Sequence, residues 1–168
     1  PTVHGSRNRI DSVELFPFRK LIDAGVGSVM VAHLNIPALD TTSNLPSTLS
    51  KKIVTGLLKV DLRFKGLSFT DAMNMKGISN YADPGEVDLQ ALLAGNDILL
   101  FSGNVPMAIS RILQAVQHGE IDQTDIDARV RKILLAKFWL GLASRKEIDT
   151  KGLTASLNDS RAQYLNQE

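Results

Sequence analysis

The 168-residue chain contains no cysteine, which excludes disulfides and thiolate metal sites but leaves the compartment open. No apolar run approaches the roughly 20 residues that a membrane-spanning helix needs. Neither charge sign is in excess: Lys and Arg number 19, Asp and Glu 18, for a net charge of +1. Nothing electrostatic therefore points to nucleic acid or an anionic membrane as a partner. An initiating Met and an apolar leader are also missing. A start of Pro1-Thr2-Val3-His4 reads as an internal cut, with any targeting signal expected to lie elsewhere. There is no low-complexity tract and no internal repeat beyond the strand–helix rhythm described next. What remains is a chain 43% hydrophobic and 22% charged, enough for one ordinary globular domain with a real core.

Ser12 is placed to cap a helix over 13–24, with Leu15, Phe18, Leu21 and Ile22 on one face and Gly25 as its stop. Residues 27–33 form a short apolar run without alternation, as a parallel strand covered on both faces would. Residues 34–49 read as a loop, marked by Pro37, Pro46 and a run of Asp, Thr, Ser and Asn. A helix follows from Ser50 to about Val60 with Ile53, Leu57 and Leu58 inward, then a strand over 66–70 and a loop over 73–85. Residues 86–94 form a helix with acids in its first turn, which suits the helix dipole. A strand over 97–101, a helix over 105–118, and a long helix from Asp122 or Thr124 to about Leu140 complete the order. Strands alternating with helices imply a parallel sheet. Three strands do not close a barrel, and a whole (β/α)8 barrel needs roughly 250 residues. The expected fold is α/β: about three βα units from the C-terminal part of a TIM barrel, with a closing helix. Residues 1–143 would be the partial barrel and 144–168 a connector toward a following domain.

The chemistry centres on Asp71. The apolar strand carrying Leu67 and Phe69 ends at this carboxylate, where barrel enzymes keep their reacting groups. A retaining glycosidase needs one such carboxylate to attack the anomeric carbon; a plain helix N-cap is the other reading of the same spacing. His33 ends the preceding strand at the same end of the sheet, so it is either a hydrogen-bonding residue near a sugar pocket or a histidine tied to a neighbouring loop. Asn74 and Met75 follow Asp71 directly and would either shape the pocket floor or pack under the loop. Asp97 begins its strand, which places it at the opposite, stabilising face of a barrel. His4 and His118 have no partners at metal-ligand spacing. Asp122, Asp125 and Asp127 lack the central Gly and terminal Glu of a calcium loop. No metal or cofactor site is expected.

Six segments in order carry a resemblance: Arg9-Ile-Asp-Ser-Val-Glu-Leu-Phe-Pro-Phe-Arg19, Met30-Val-Ala-His33, Leu45-Pro-Ser-Thr-Leu-Ser50, Gly66-Leu-Ser-Phe-Thr-Asp-Ala-Met-Asn-Met-Lys-Gly77, Ala94-Gly-Asn-Asp-Ile-Leu-Leu100, and the helix that closes on Lys137-x-x-x-Gly141-Leu142. Together they resemble glycoside hydrolase family 3, in its bacterial β-N-acetylhexosaminidase branch. The resemblance implies that Asp71 is the nucleophile. The parent protein would release terminal β-linked N-acetylglucosamine from peptidoglycan-type substrates through a covalent glycosyl-Asp intermediate. It also implies a proton donor that is a His in an Asp-x-His dyad, on a loop after a Lys-His-Phe-Pro-Gly-His-Gly motif. Neither motif occurs in this chain, and family order puts both before Pro1. The isolated chain is therefore expected to be inactive or nearly so, since losing general acid catalysis costs about 10²–10⁴-fold. Its expected partners are a carbohydrate, the missing N-terminal half of the barrel, and a second copy of the fragment pairing through open sheet edges. The bacterial cytoplasm and the periplasm both stay open. Two alternatives remain: a family 3 β-glucosidase, whose acid/base comes from a later domain, and a half-barrel that assembles or binds without catalysis.

Overall fold

A computed structural model describes residues 1–79, 81–144, 147 and 150–166. The chain divides into two compact units, Pro1–Leu134 and Leu135–Glu168. In the first, helix α1 (Phe16–Asp23) leads to strand β1 (Ser28–Val31), helix α2 (Lys52–Asp61) to strand β2 (Leu67–Ala72), and helix α3 (Glu86–Ala94) to strand β3 (Ile98–Leu100). Helix α4 (Val105–Gln117) follows, and helix α5 (Gln123–Trp139) begins directly after Asp122. The second unit holds the end of α5 and two short helices, Leu153–Leu157 and Ser160–Leu165. The side chain of Asp159 caps the latter by accepting from the Ala162 amide. The connector expected over 144–168 falls partly outside the described residues.

The three strands form one parallel sheet in the order β1-β2-β3. Its helix-facing side is the core. Val31 packs there with Val54 and Leu58 of α2, Phe64, and Ala94 of α3. A second cluster gathers Leu49, Met73, Ile78, Val87 and Ala91, and a third joins α3 to α4 through Leu89, Leu92, Ala115 and Ile121. Burying a Leu as fully as Leu89 (0% exposed) contributes roughly 1.5–3 kcal/mol. The opposite face is less covered. Met30 is 55% exposed, and Leu67, Phe69, Asp71, Ile98 and Leu100 are half-buried. Strands covered on both faces were expected; only the helix-facing side meets that description among the described residues.

One start differs from the sequence reading. Ser12 does not cap α1. Ser6 caps an earlier helical turn at Arg7–Arg9 by accepting from the Arg9 amide, and the chain then widens over Ile10–Glu14, with the Leu15 amide reaching back to Ile10. Ser12 sits inside that stretch and donates its hydroxyl to the Arg9 carbonyl, the back-bond that short hydroxyl residues make within helices. Helix α2 is wound in the same wide manner, its end closed by Leu62 bonding Leu57. Helix α3 begins and ends where its sequence signals lie. Gly95 ends it at φ +115, a conformation in which an added Cβ would collide with the Thr55 hydroxyl.

Candidate active site

The site forms where β2 leaves the sheet. Up to Val31 and Thr70 the pairing of β1 with β2 is regular. On the other side Phe69 pairs with Ile98 and Ala72 with Leu100, so β2 spends three steps where β3 spends two. This is a β-bulge at Thr70 and Asp71, a device that re-aims side chains beside active sites. The buried Thr70 hydroxyl fills the broken rung by accepting from the Leu100 amide at 2.9 Å. The Met73 amide donates to the Leu100 carbonyl at 2.8 Å and resumes the ladder.

Asp71 stands on this bulge at the carboxyl end of the sheet, half-buried. Its Oδ1 accepts from the Ala72 amide at 2.8 Å. Its Oδ2 takes no hydrogen bond from the described residues, so the amide fixes one oxygen and leaves the other to meet a ligand. His33, 6% exposed, reaches across from the end of β1. Its Nε2 lies 3.0 Å from the Ala72 carbonyl and its Nδ1 2.7 Å from the Thr48 hydroxyl. A carbonyl only accepts, so Nε2 carries the hydrogen of that bond; the Thr48 hydroxyl that meets Nδ1 also donates to the Ala32 carbonyl at 2.9 Å. Asn74 and Met75 are exposed in the turn after β2, which closes as the Met75 amide donates to the Ala72 carbonyl at 3.1 Å. Met73 is turned inward and 3% exposed. The four residues singled out from sequence thus gather at one end of the sheet. A polar recess of about 190 Å³ opens beside His33, lined also by Asn35, Asn44, Pro46 and Gly77 among others.

Sequence reasoning passed over three neighbours. Phe101, just after β3, is 69% exposed and holds φ +48, a left-handed backbone that costs a non-glycine residue about 1–2 kcal/mol. Its aromatic side chain at a strand end was the available signal. Asp40 anchors the loop after β1. It accepts from Ser50 at 2.6 Å, from the Thr42 amide and hydroxyl, and from Lys52 at 3.1 Å. Burial opposes its charge, but these donors outweigh burial and hold the carboxyl well below the usual range. Thr48, 0% exposed, joins His33 to the backbone of β1.

At the other end of the sheet Asp97 is buried against Lys59 at 2.8 Å, Lys132 at 2.7 Å and the Ser68 amide at 2.8 Å. Burial pushes its pKa up; the two lysines and the amide prevail and bring it down to about 2. Its role there is to pin α5 and α2 to the sheet. Arg129 of α5 adds to this by donating to the carbonyls of Leu92 and Asn96. Among the described residues no group of three or more His, Asp or Glu is placed to hold a metal. No described helix is long and apolar enough to cross a membrane.

Comparison with known proteins gives the arrangement a family. The profile of the glycosyl hydrolase family 3 N-terminal domain matches residues 1–136. β-Hexosaminidase A of Pseudoalteromonas piscicida is 29% identical over 160 residues, covering 82% of this chain and 26% of the relative. A β-N-acetylglucosaminidase/β-glucosidase of Cellulomonas fimi is 27% identical over 150 residues, covering 84% and 27%. A solved family 3 β-N-acetylglucosaminidase from Paenibacillus sp. str. FPU-7 superposes with a TM-score of 0.82 at 36% identity, covering 88% of this chain and 28% of that one. The chain spans about a quarter of the length of these relatives. A match over residues 1–136, with the parallel βα units retained, means that this chain belongs to glycoside hydrolase family 3 and forms part of its (β/α)8 barrel.

Proposed function

We propose that Asp71 is the nucleophile of a retaining glycosidase that removes terminal β-linked N-acetylglucosamine, with peptidoglycan fragments as the substrate class. The placement of Asp71 supports this most: a carboxylate on a bulge at the carboxyl end of a barrel strand, one oxygen held by the Ala72 amide at 2.8 Å and the other unengaged among the described residues. In the proposed reaction Oδ2 attacks the anomeric carbon while the bond to the leaving oxygen breaks. That oxygen takes its proton from an acid outside this chain. Water then attacks the same carbon, the glycosyl–aspartate bond breaks, and the water's proton returns to the same acid/base group. Asn74 and Met75, exposed beside Asp71, line the sugar pocket. The chain alone would lack the proton donor and turn over at least about 10²-fold more slowly than the full protein.

The test is covalent trapping. The full-length protein is treated with a fluorinated N-acetylglucosaminyl fluoride, digested, and read by mass spectrometry. An adduct on the peptide containing Asp71, absent from Asp71→Ala, is the expected result. Full turnover by a folded Asp71→Ala variant overturns the assignment. The Cellulomonas fimi relative is named for both sugars, which favours a β-glucosidase as the second reading. Turnover of the nitrophenyl β-glucoside at least as fast as that of the N-acetylglucosaminide would select it.

A further inference from the structure

We infer that His33 is a positioning residue for Asp71, acting through the backbone of β2 rather than on the sugar. The inference rests on the reading of Asp71 as the nucleophile. It begins where the β1 ladder ends, at a carbonyl of Ala72 that also accepts from the Met75 amide of the following turn at 3.1 Å. The regular pairing of β1 with β2 stops at Val31 and Thr70, so no residue of the β1 ladder stands opposite Ala72. On the β3 side the Ala72–Met73 peptide is held, because the Met73 amide bonds the Leu100 carbonyl at 2.8 Å. On the β1 side the imidazole of His33 stands in for the missing strand, its Nε2 donating to the Ala72 carbonyl across 3.0 Å. The Ala72 amide, on the same residue, is the group that holds Asp71 Oδ1. A shift of Ala72 is therefore a shift of the carboxylate.

The ring is itself fixed. Nδ1 meets the Thr48 hydroxyl at 2.7 Å. The Thr48 carbonyl accepts from Asn96 Nδ2 at 2.9 Å, and the same Nδ2 donates to the Ala91 carbonyl of α3 at 2.7 Å. Thr48 and Asn96 are each 0% exposed. A chain of buried polar groups thus runs from α3 through Asn96, Thr48 and His33 to the bulge. With both ring nitrogens engaged by the protein and 6% exposure, His33 has no nitrogen left for a sugar hydroxyl. Supports of this kind hold a reacting group to within the roughly 1 Å that separates full rate from a 10²-fold loss.

The variants His33→Ala, His33→Gln and His33→Asn in the full-length protein separate the roles. Gln places an amide N–H near Nε2 and can still reach Ala72. Asn places it near Nδ1 and can serve only Thr48. Steady-state kinetics on a nitrophenyl N-acetylglucosaminide are read beside the rate of covalent labelling of Asp71 and the urea midpoint. For His33→Ala, kcat and the labelling rate should fall together by roughly 10–100-fold, with KM within about threefold. His33→Gln should recover most of that loss and His33→Asn should not, at similar urea midpoints. A raised KM with unchanged kcat would make His33 a sugar ligand and overturn the inference. So would kcat in His33→Ala within about twofold of wild type, or equal losses in Gln and Asn that track their urea midpoints. If His33→Ala does not fold, the Gln–Asn contrast decides. Undiminished activity in Asp71→Ala would instead remove the nucleophile reading itself.

Discussion

Replacing Asp97 by Asn removes one charge and almost no volume, at the point where α5 and α2 meet the sheet. The Asp97 side chain is 3% exposed and its carboxylate lies within 2.8 Å of both Lys59 and Lys132. Removing one partner of a buried ion pair costs about 3–5 kcal/mol. Here the lysines are 25% and 29% exposed, so they can turn toward water, and the asparagine oxygen can still accept from Ser68. The expected cost therefore falls to about 2–3 kcal/mol. Titration gives a second route to the same figure. The folded-state pKa of about 2 lies below the ordinary 3.8, so the unfolded chain takes up the proton first as pH falls. The contribution is fully present above about pH 4 and is lost between about pH 4 and pH 2. A depression of this size corresponds to about 2 kcal/mol. In urea unfolding at pH 7, with a slope of about 1–3 kcal/mol per molar, Asp97→Asn should lower the midpoint by about 1–2 M. The variant should also lose the part of the acid dependence that falls between pH 4 and pH 2. Adding Lys132→Met should restore some stability, because one uncompensated cation is gone. A loss below about 0.5 kcal/mol, the size of an ordinary surface change, would refute the account of this cluster.

Two further substitutions probe the backbone. Gly95→Ala must hold φ +115 and push its methyl into Thr55, so it should cost at least about 1–3 kcal/mol; a thermal unfolding scan within 1 °C of wild type would contradict that. Phe101→Gly should relieve the left-handed strain at φ +48 and, since the ring is 69% exposed, raise stability by up to about 1 kcal/mol. If the ring covers a face of the sugar, KM rises in the same variant; an unchanged KM would leave Phe101 without a part in binding.

Much of the fold was legible because its signals are local. The apolar run ending at Val31 and the acids and glycine that bracket α3 are statements about neighbours in sequence. The placement of Asp71 was legible for the same reason, since a strand ending in a carboxylate is visible in six residues. Ser12 misled because a serine inside a helix can bond backward to the Arg9 carbonyl as readily as it can cap forward. The bulge was not legible: neither Thr70 nor Asp71 is a glycine, and the extra step exists only relative to β3. The two readings of His33 stayed open because the group that holds it, the Ala72 carbonyl, is 39 residues away. The position of Asp97 at the start of β3 could be read. Its lysines, 38 and 35 residues distant, could not.

The bulge also bears on how the strand can be redesigned. In a regular strand, alternation ties every side chain to its neighbours, and re-aiming one means re-aiming all. At Thr70 and Asp71 that tie is cut, because a hydroxyl replaces a rung of the ladder. Leu67 and Phe69, which precede the break, are therefore free to be exchanged for other residues that reshape the surface below the carboxylate without turning it. Thr70 is not: an isosteric valine would leave the Leu100 amide without the acceptor that the hydroxyl supplies at 2.9 Å, directly beside Asp71. One buried hydroxyl thus supplies the rung that the extra step beside the carboxylate leaves open.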